Sequence, residues 1–136
     1  LSVKKSFALM EFIKTSDGSD LIQGFKRANN ILLQAEKNDG VEYSFGADLK
    51  YAKEDAELNL FSVLDSEEVK IKASLEREDF VEAMNSMANL RAPIDSFFET
   101  VQINSDVDHI RRNRLNLLSR ICKLCLSVAD LTKVEG

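Results

Sequence analysis

Asp108–Leu131, DHIRRNRLNLLSRICKLCLSVADL, sets the fold class of the whole chain. Ile110, Leu117, Leu118, Ile121, Leu124, Cys125 and Val128 recur at helical spacing, which demands a long helix with one broad face buried against other helices. The opposite side presents Arg112, Asn116, Ser119, Arg120, Lys123 and Ser127, with Arg111 and Arg114 near its start. In a chain of net charge -5 and pI near 5.0 this is a concentrated basic strip. Periodicity alone leaves two readings open for it, a solvated helix flank or a ligand surface.

Upstream, the same period repeats. Residues 2–14 carry Val3, Phe7, Leu9, Met10 and Ile13 as one amphipathic helix. Residues 15–19 end it, and Asp17 or Ser19 caps a second helix in which Leu21, Phe25, Ala28, Leu32 and Ala35 line one stripe. Asn38-Asp39-Gly40 stops that helix. Residues 41–51 lack a helical period and hold Tyr43, Phe45 and Tyr51, so they read as an ordered connection with room for a short strand. The period resumes at Glu54 and is expected to break at Asp65-Ser66, with Ser66 capping a further helix to Leu75. Residues 78–90 form another, Pro93 opens residues 94–100, residues 101–104 are an extended linker, and Ser105 or Asp106 caps the last helix. The expectation is an all-α bundle of about six helices.

Composition agrees. One proline and five glycines are too few for a multi-turn β architecture, and 136 residues with 44% hydrophobic content suffice for one self-contained core. A single domain over residues 1–136 is expected, and the opening Leu1 suggests a fragment of a longer chain. No run approaches the length of a membrane span, so no membrane partner and a cytoplasmic location are expected. The acidic balance argues against indiscriminate nucleic-acid binding and against a DNA partner. Cys122 and Cys125 stand three apart with a lone His109 and no second pair, so two reduced thiols are expected and no metal. No nucleophile with an orienting base and no glycine-rich phosphate loop occurs, which leaves the chain non-catalytic.

Residues 111–131 resemble the closing motif of the bacterial glycyl-tRNA synthetase beta subunit, approximately R-x-N-R-L-x-L-L followed by V-A-D. Arg111, Asn113, Arg114, Leu115, Leu117 and Leu118 match the first part, and Val128, Ala129 and Asp130 the second. The run from Leu90 through Arg91, Pro93, Asp95, Phe97 and Phe98 to Glu99 is similar to the family's L-R-x-P-V-D-x-F-F-D. Lys26, Arg27, Asn30, Ile31 and Leu32 resemble its K-R-x-x-N-I-L element. Ile94, Glu99 and the stretch Gln102-Ile103-Asn104 depart from it conservatively. The resemblance implies a DALR-type anticodon-binding bundle at the C-terminal end of the beta chain. It further implies tRNA(Gly) and the alpha subunit of an alpha-beta heterotetramer as partners, with ATP and Mg²⁺ serving the whole enzyme and no cofactor in this fragment.

An anticodon loop offers phosphates and unstacked bases, so its receptor needs cations, amides and planar groups. The candidates are Lys26, Arg27 and Asn30 on the second helix, with Arg111, Arg112, Arg114, Asn116, Arg120 and Lys123 on the last, presented as one shared basic face. Arg91, Asp95 and Arg114 equally suit an internal ion-pair or capping network, as does Asp130. At least one of Phe97 and Phe98 belongs in the core, and Tyr43 and Tyr51 are weaker stacking candidates. The rival function is a helical docking domain for subunit or interdomain assembly, which would be marked by an exposed apolar patch.

Overall fold

The computed structural model describes residues 2–131, with the side chains of residues 7–129. Among them are six α-helices: α1 Ser2–Ile13, α2 Ser16–Asp39, α3 Asp55–Glu76, α4 Phe80–Ala88, α5 Arg91–Thr100 and α6 Asp108–Leu131. A single 3-10 turn spans Leu49–Tyr51, and no strand forms between α2 and α3. The bundle is all-α, as the hydrophobic period requires. The roles expected of Val3 and Asp130 lie outside the described side chains.

The cap of α2 is Thr15, rather than Asp17 or Ser19. Its side chain accepts the Gly18 N–H at 3.0 Å and donates to the Phe12 carbonyl at 2.6 Å, closing the turn from α1 into α2 within two residues. So tight a turn admits only glycine at position 18, where a Cβ would lie 1.9 Å from the Phe12 carbonyl oxygen. Asp17 thereby falls in the first turn, where the helix dipole favours a carboxylate, and pairs with Arg91 at 2.9 Å. Arg91 also reaches Asp95 at 3.3 Å, so the expected polar network fastens the start of α5 to the start of α2.

The break expected at Asp65-Ser66 does not occur. Leu60, Leu64, Glu67, Ile71 and Ser74 are buried at successive three- and four-residue steps through it, and the packing of that stripe outweighs the weak local preference of two polar residues against helix. Asp65 points outward, where Arg120 meets it at 2.6 Å.

α2 packs on α5 and α6, α3 on α4 and α5, and α1 on α2 and α4. Phe97, Leu90, Ile94, Leu115, Leu117, Leu118 and Ile121 are almost fully buried with Leu60, Leu64 and Ile71 in one core. Each such side chain contributes roughly 1.5–3 kcal/mol by removal from water. α3 and α6 are not among the closely packed helix pairs. Long side chains span the gap between them, the innermost tie being Arg114 to Glu57 at 2.8 Å, with both side chains buried.

Glu57 Oε1 also accepts the backbone N–H groups of Lys53 and Glu54, at 3.1 and 3.0 Å, and Arg114 Nη1 donates to the Gln102 carbonyl at 2.5 Å. One buried pair therefore joins α6, the start of α3 and the linker before α6. Burial pushes the Glu57 carboxyl up, but the hydrogen bonds from Arg114, Glu54 and Lys53 outweigh it and hold the group below its ordinary 4.5.

Arg114→Met, which strands the Glu57 charge, is expected to cost about 3–5 kcal/mol in denaturant unfolding, and adding Glu57→Gln should recover much of that loss. A group whose folded pKa is depressed stabilises above its unfolded value and loses that contribution as pH falls through the folded one. The unfolding midpoint of the native chain should therefore drop as pH falls below about 4.5, and more steeply than that of Glu57→Gln. Equal slopes would contradict the assignment.

Candidate nucleic-acid interface

The nine candidate residues divide into two groups. Arg111, Arg114, Arg120 and Asn116 are engaged inside the molecule, whereas Lys26, Arg27, Asn30, Arg112 and Lys123 are exposed. Arg114 lies in the core and has no route to a ligand, because its side chain is 7% exposed and its guanidinium is bound to Glu57. Its position belongs to the internal network that the sequence offered as the other reading.

Arg111 is bound to Asp39 at 2.8 Å, to Asn104 at 2.6 Å and to the Tyr43 hydroxyl at 3.2 Å. The Tyr43 hydroxyl in turn donates to Asp39. Hydrogen bonds from Tyr43 and then Arg111 hold the Asp39 carboxyl below its usual range, while burial, followed by the neighbouring Asp39, raises the Tyr43 phenol. Arg111 thus secures the C-terminal end of α2 and the loop after it. Arg120 bonds Glu68 at 2.9 Å and Asp65 at 2.6 Å, a second tie between α6 and α3. Asn116 is buried, and its amide donates to the Arg112 carbonyl one turn back at 3.0 Å.

The exposed members do not form one strip. Arg27 lies over the Phe98 ring, 4.6 Å from its centre, and shares a hollow with Arg111 and Asn104. Lys26 borders a different, apolar hollow with Phe25 and Leu126. Arg112 and Lys123 flank residues 41–46 from opposite sides, and Lys123 Nζ donates to the Ser44 carbonyl at 3.2 Å. In place of the single face expected of α2 and α6, the four exposed cations line four separate hollows. The cations of that face were assigned by helical period, while the carboxylates that neutralise Arg111, Arg114 and Arg120 come from distant positions.

Sequence reasoning passed over one residue of consequence. Phe45 is 94% exposed at the tip of the 41–46 loop, beside Lys123, whereas the sequence pointed to one of Phe97 and Phe98, and more weakly to Tyr43 and Tyr51, for stacking. Tyr43 is buried, and Tyr51 is half-buried against His109, with ring centres 5.2 Å apart. Phe97 is fully buried, which meets the expectation for that pair. Burial pushes the Cys122 and Cys125 thiols up to about 11 and about 12, so both stay protonated at neutral pH. Among the described residues no group of three His, Cys, Asp or Glu is placed to share a cation, and no helix is long and apolar enough to cross a membrane.

Comparison with known proteins gives this architecture a family. Over its whole length the chain is 60% identical to the glycine–tRNA ligase beta subunit of Cereibacter sphaeroides and 59% identical to that of Ruegeria sp.. It is 39% identical to that of Rhodospirillum centenum. The chain spans about one fifth of the length of these curated relatives, 19–20%. Residues 21–135, from the first turns of α2 onward, match the model of the DALR anticodon binding domain. This helical chain, with its α2–α6 pairing and outward cations, belongs to the DALR anticodon binding domain family.

Proposed function

We propose that the chain is the C-terminal, anticodon-binding domain of a glycyl-tRNA synthetase beta subunit, acting in the cytoplasm. It binds tRNA(Gly) while an alpha-beta heterotetramer attaches glycine with ATP and Mg²⁺ at a site outside this domain. The observation that carries the reading is the family match over residues 21–135, joined to full-length identity with beta subunits of glycine–tRNA ligases. In this reading Mg²⁺ and ATP serve the rest of the enzyme.

The geometry supports RNA contact through a reduced set of groups. Lys26, Arg27 and Asn30 on α2 and Arg112 and Lys123 on α6 are exposed, and Lys26 and Arg112 have no ion pair with any described residue. Exposed cations meet phosphates, and the Asn30 amide and the Arg27 guanidinium suit base edges. Arg111, Arg114 and Arg120 act through the fold, by holding the helices that carry the others.

A second reading has its own observation. Phe7 of α1 and Val81 of α4 are 65% and 67% exposed around one hollow, and Met10 of α1 is 57% exposed, the apolar surface expected of a docking face. The occupant that fits is the remainder of the longer beta chain, four fifths of which lies outside this segment by the length of the relatives. The two readings use different faces and are compatible.

In the full-length beta chain, replacing Lys26, Arg27 and Arg112 together by alanine should weaken tRNA(Gly) binding and flatten its salt dependence by about 0.7–0.9 in slope for each phosphate no longer neutralised. Unchanged affinity and slope would overturn the cation assignment, and absence of tRNA(Gly) binding by the native chain would overturn the function. Phe7→Ser with Met10→Ser should lower the thermal midpoint of the full-length chain and leave tRNA affinity alone. An unchanged midpoint would remove the docking role.

A further inference from the structure

Phe45 is an aromatic ring placed in water by a loop that is fastened on both sides. Before it, the Tyr43 N–H donates to the Glu36 carboxylate at 2.9 Å, and the Tyr43 hydroxyl is bound to Asp39. After it, the Asn113 side chain accepts the Asp48 N–H at 2.7 Å and donates to the Asp48 carbonyl at 3.0 Å. Gly46, with φ of 90°, turns the chain back directly behind the ring in a conformation that other residues rarely adopt. The exposure of Phe45 is thus imposed by its neighbours.

The ring borders two hollows of opposite electrostatic character. On the α2 side, Arg111 and Arg112 face Asp39, Glu42 and Asp108, and carboxylates outnumber cations. On the α3 side lies a hollow of about 840 Å³ between the C-terminal half of α3 and α6, the space left because these two helices do not pack closely. There Lys72 and Lys123 stand against Glu76, Arg120 being held by Glu68 and Asp65, and Ile71, Leu75 and Leu124 supply an apolar wall. Ser119 and Asn116 lie on its floor, and the buried Asn116 Oδ1 has no hydrogen-bond partner among the described residues. Glu57 Oε2 and Glu67 Oε2 are buried acceptors in the same state elsewhere, and Asn116 lines the hollow on the α2 side as well, but of the three only Asn116 adjoins an open hollow beside Phe45.

We propose that this hollow is the subsite for an unstacked nucleotide of the bound RNA loop. The base stacks on Phe45 against the Ile71–Leu75 wall, with its edge toward Ser119 and Asn116, and its phosphate lies at Lys72 and Lys123. Ring, apolar wall, hydroxyl, amide and paired cations are together the complement of a base with its phosphate. The inference rests on the tRNA-binding reading and adds to it Phe45 and Lys72, residues outside the basic strips of α2 and α6. With Arg120 committed to Glu68 and Asp65, Lys72 and Lys123 still face only Glu76, whereas beside Arg112 the carboxylates of Glu42 and Asp108 prevail, and this difference selects the α3 side.

The test uses the full-length beta chain and an RNA hairpin carrying the tRNA(Gly) anticodon loop, with one abasic nucleotide moved through the loop in turn. Phe45→Ala should weaken hairpin binding by about 5- to 100-fold, the range expected for one base–aromatic stack, while Phe45→Trp retains binding and Phe45→Leu does not. At one loop position the abasic hairpin should bind the native chain as weakly as the intact hairpin binds Phe45→Ala, and there the substitution should have no further effect. Lys72→Ala should flatten the salt slope. If Phe45→Ala or Phe45→Leu binds like the native chain while the triple alanine variant of Lys26, Arg27 and Arg112 is weakened, the subsite is wrong and the tRNA reading stands. A lowered thermal midpoint with unchanged affinity would likewise overturn it, assigning Phe45 to a contact within the longer chain. If the native chain does not bind the hairpin, both fail.

Discussion

The Glu57–Arg114 pair is the constraint around which the bundle is arranged. Two opposite charges in a dry interior attract strongly, but each has lost its hydration, so the pair is tolerated only where further hydrogen bonds complete it. Glu57 Oε1 finds them at the first turn of α3 and Arg114 Nη1 at the linker carbonyl of Gln102, while Glu57 Oε2 and Arg114 Nε have no partner among the described residues. The pair therefore specifies more than contact between two helices: it sets how α3 begins, where the linker runs and how far α6 stands from α3. The gap below it, bridged again by Arg120 to Asp65 and Glu68, is what opens the hollow beside Phe45.

Much of this was legible in the sequence through the helical period. The buried stripes of α2, α4 and α6, the placement of α5 after α4 and the all-α class follow from which apolar residues recur at three and four. The buried pair itself left a trace that the basic-strip reading passed over. Arg114 precedes Leu117, Leu118 and Ile121 by three, four and seven, and Glu57 precedes Leu60, Phe61 and Leu64 by the same steps. A charge at the head of each of two apolar stripes, opposite in sign, is the pattern of a buried ion pair.

Other features had no local signal. The continuity of α3 through Asp65-Ser66 depends on the core on its far side and on Arg120, 55 residues away along the chain. Arg111 and Arg120 read as surface cations because Asp39, Asp65 and Glu68 are distant in sequence and adjacent only after folding. Phe45 sits in a segment with no period, before a glycine whose φ cannot be read from its neighbours. The outward cations of an amphipathic helix are in this way an upper bound on its ligand surface, and internal neutralisation by distant carboxylates decides what remains.

The fastening of the 41–46 loop has a consequence for the thermodynamics of recognition. A flexible loop that orders on binding loses conformational entropy at that moment, about 1–2 kcal/mol for each residue fixed. Here Tyr43, Asn113 and Lys123 hold the backbone around Phe45 during folding, so that ordering cost is met before any ligand arrives. A ligand stacking on the ring would then lose chiefly its own freedom. Its preference among partners would follow the rigidity of the RNA loop, with a preordered loop favoured over a floppy one of the same sequence.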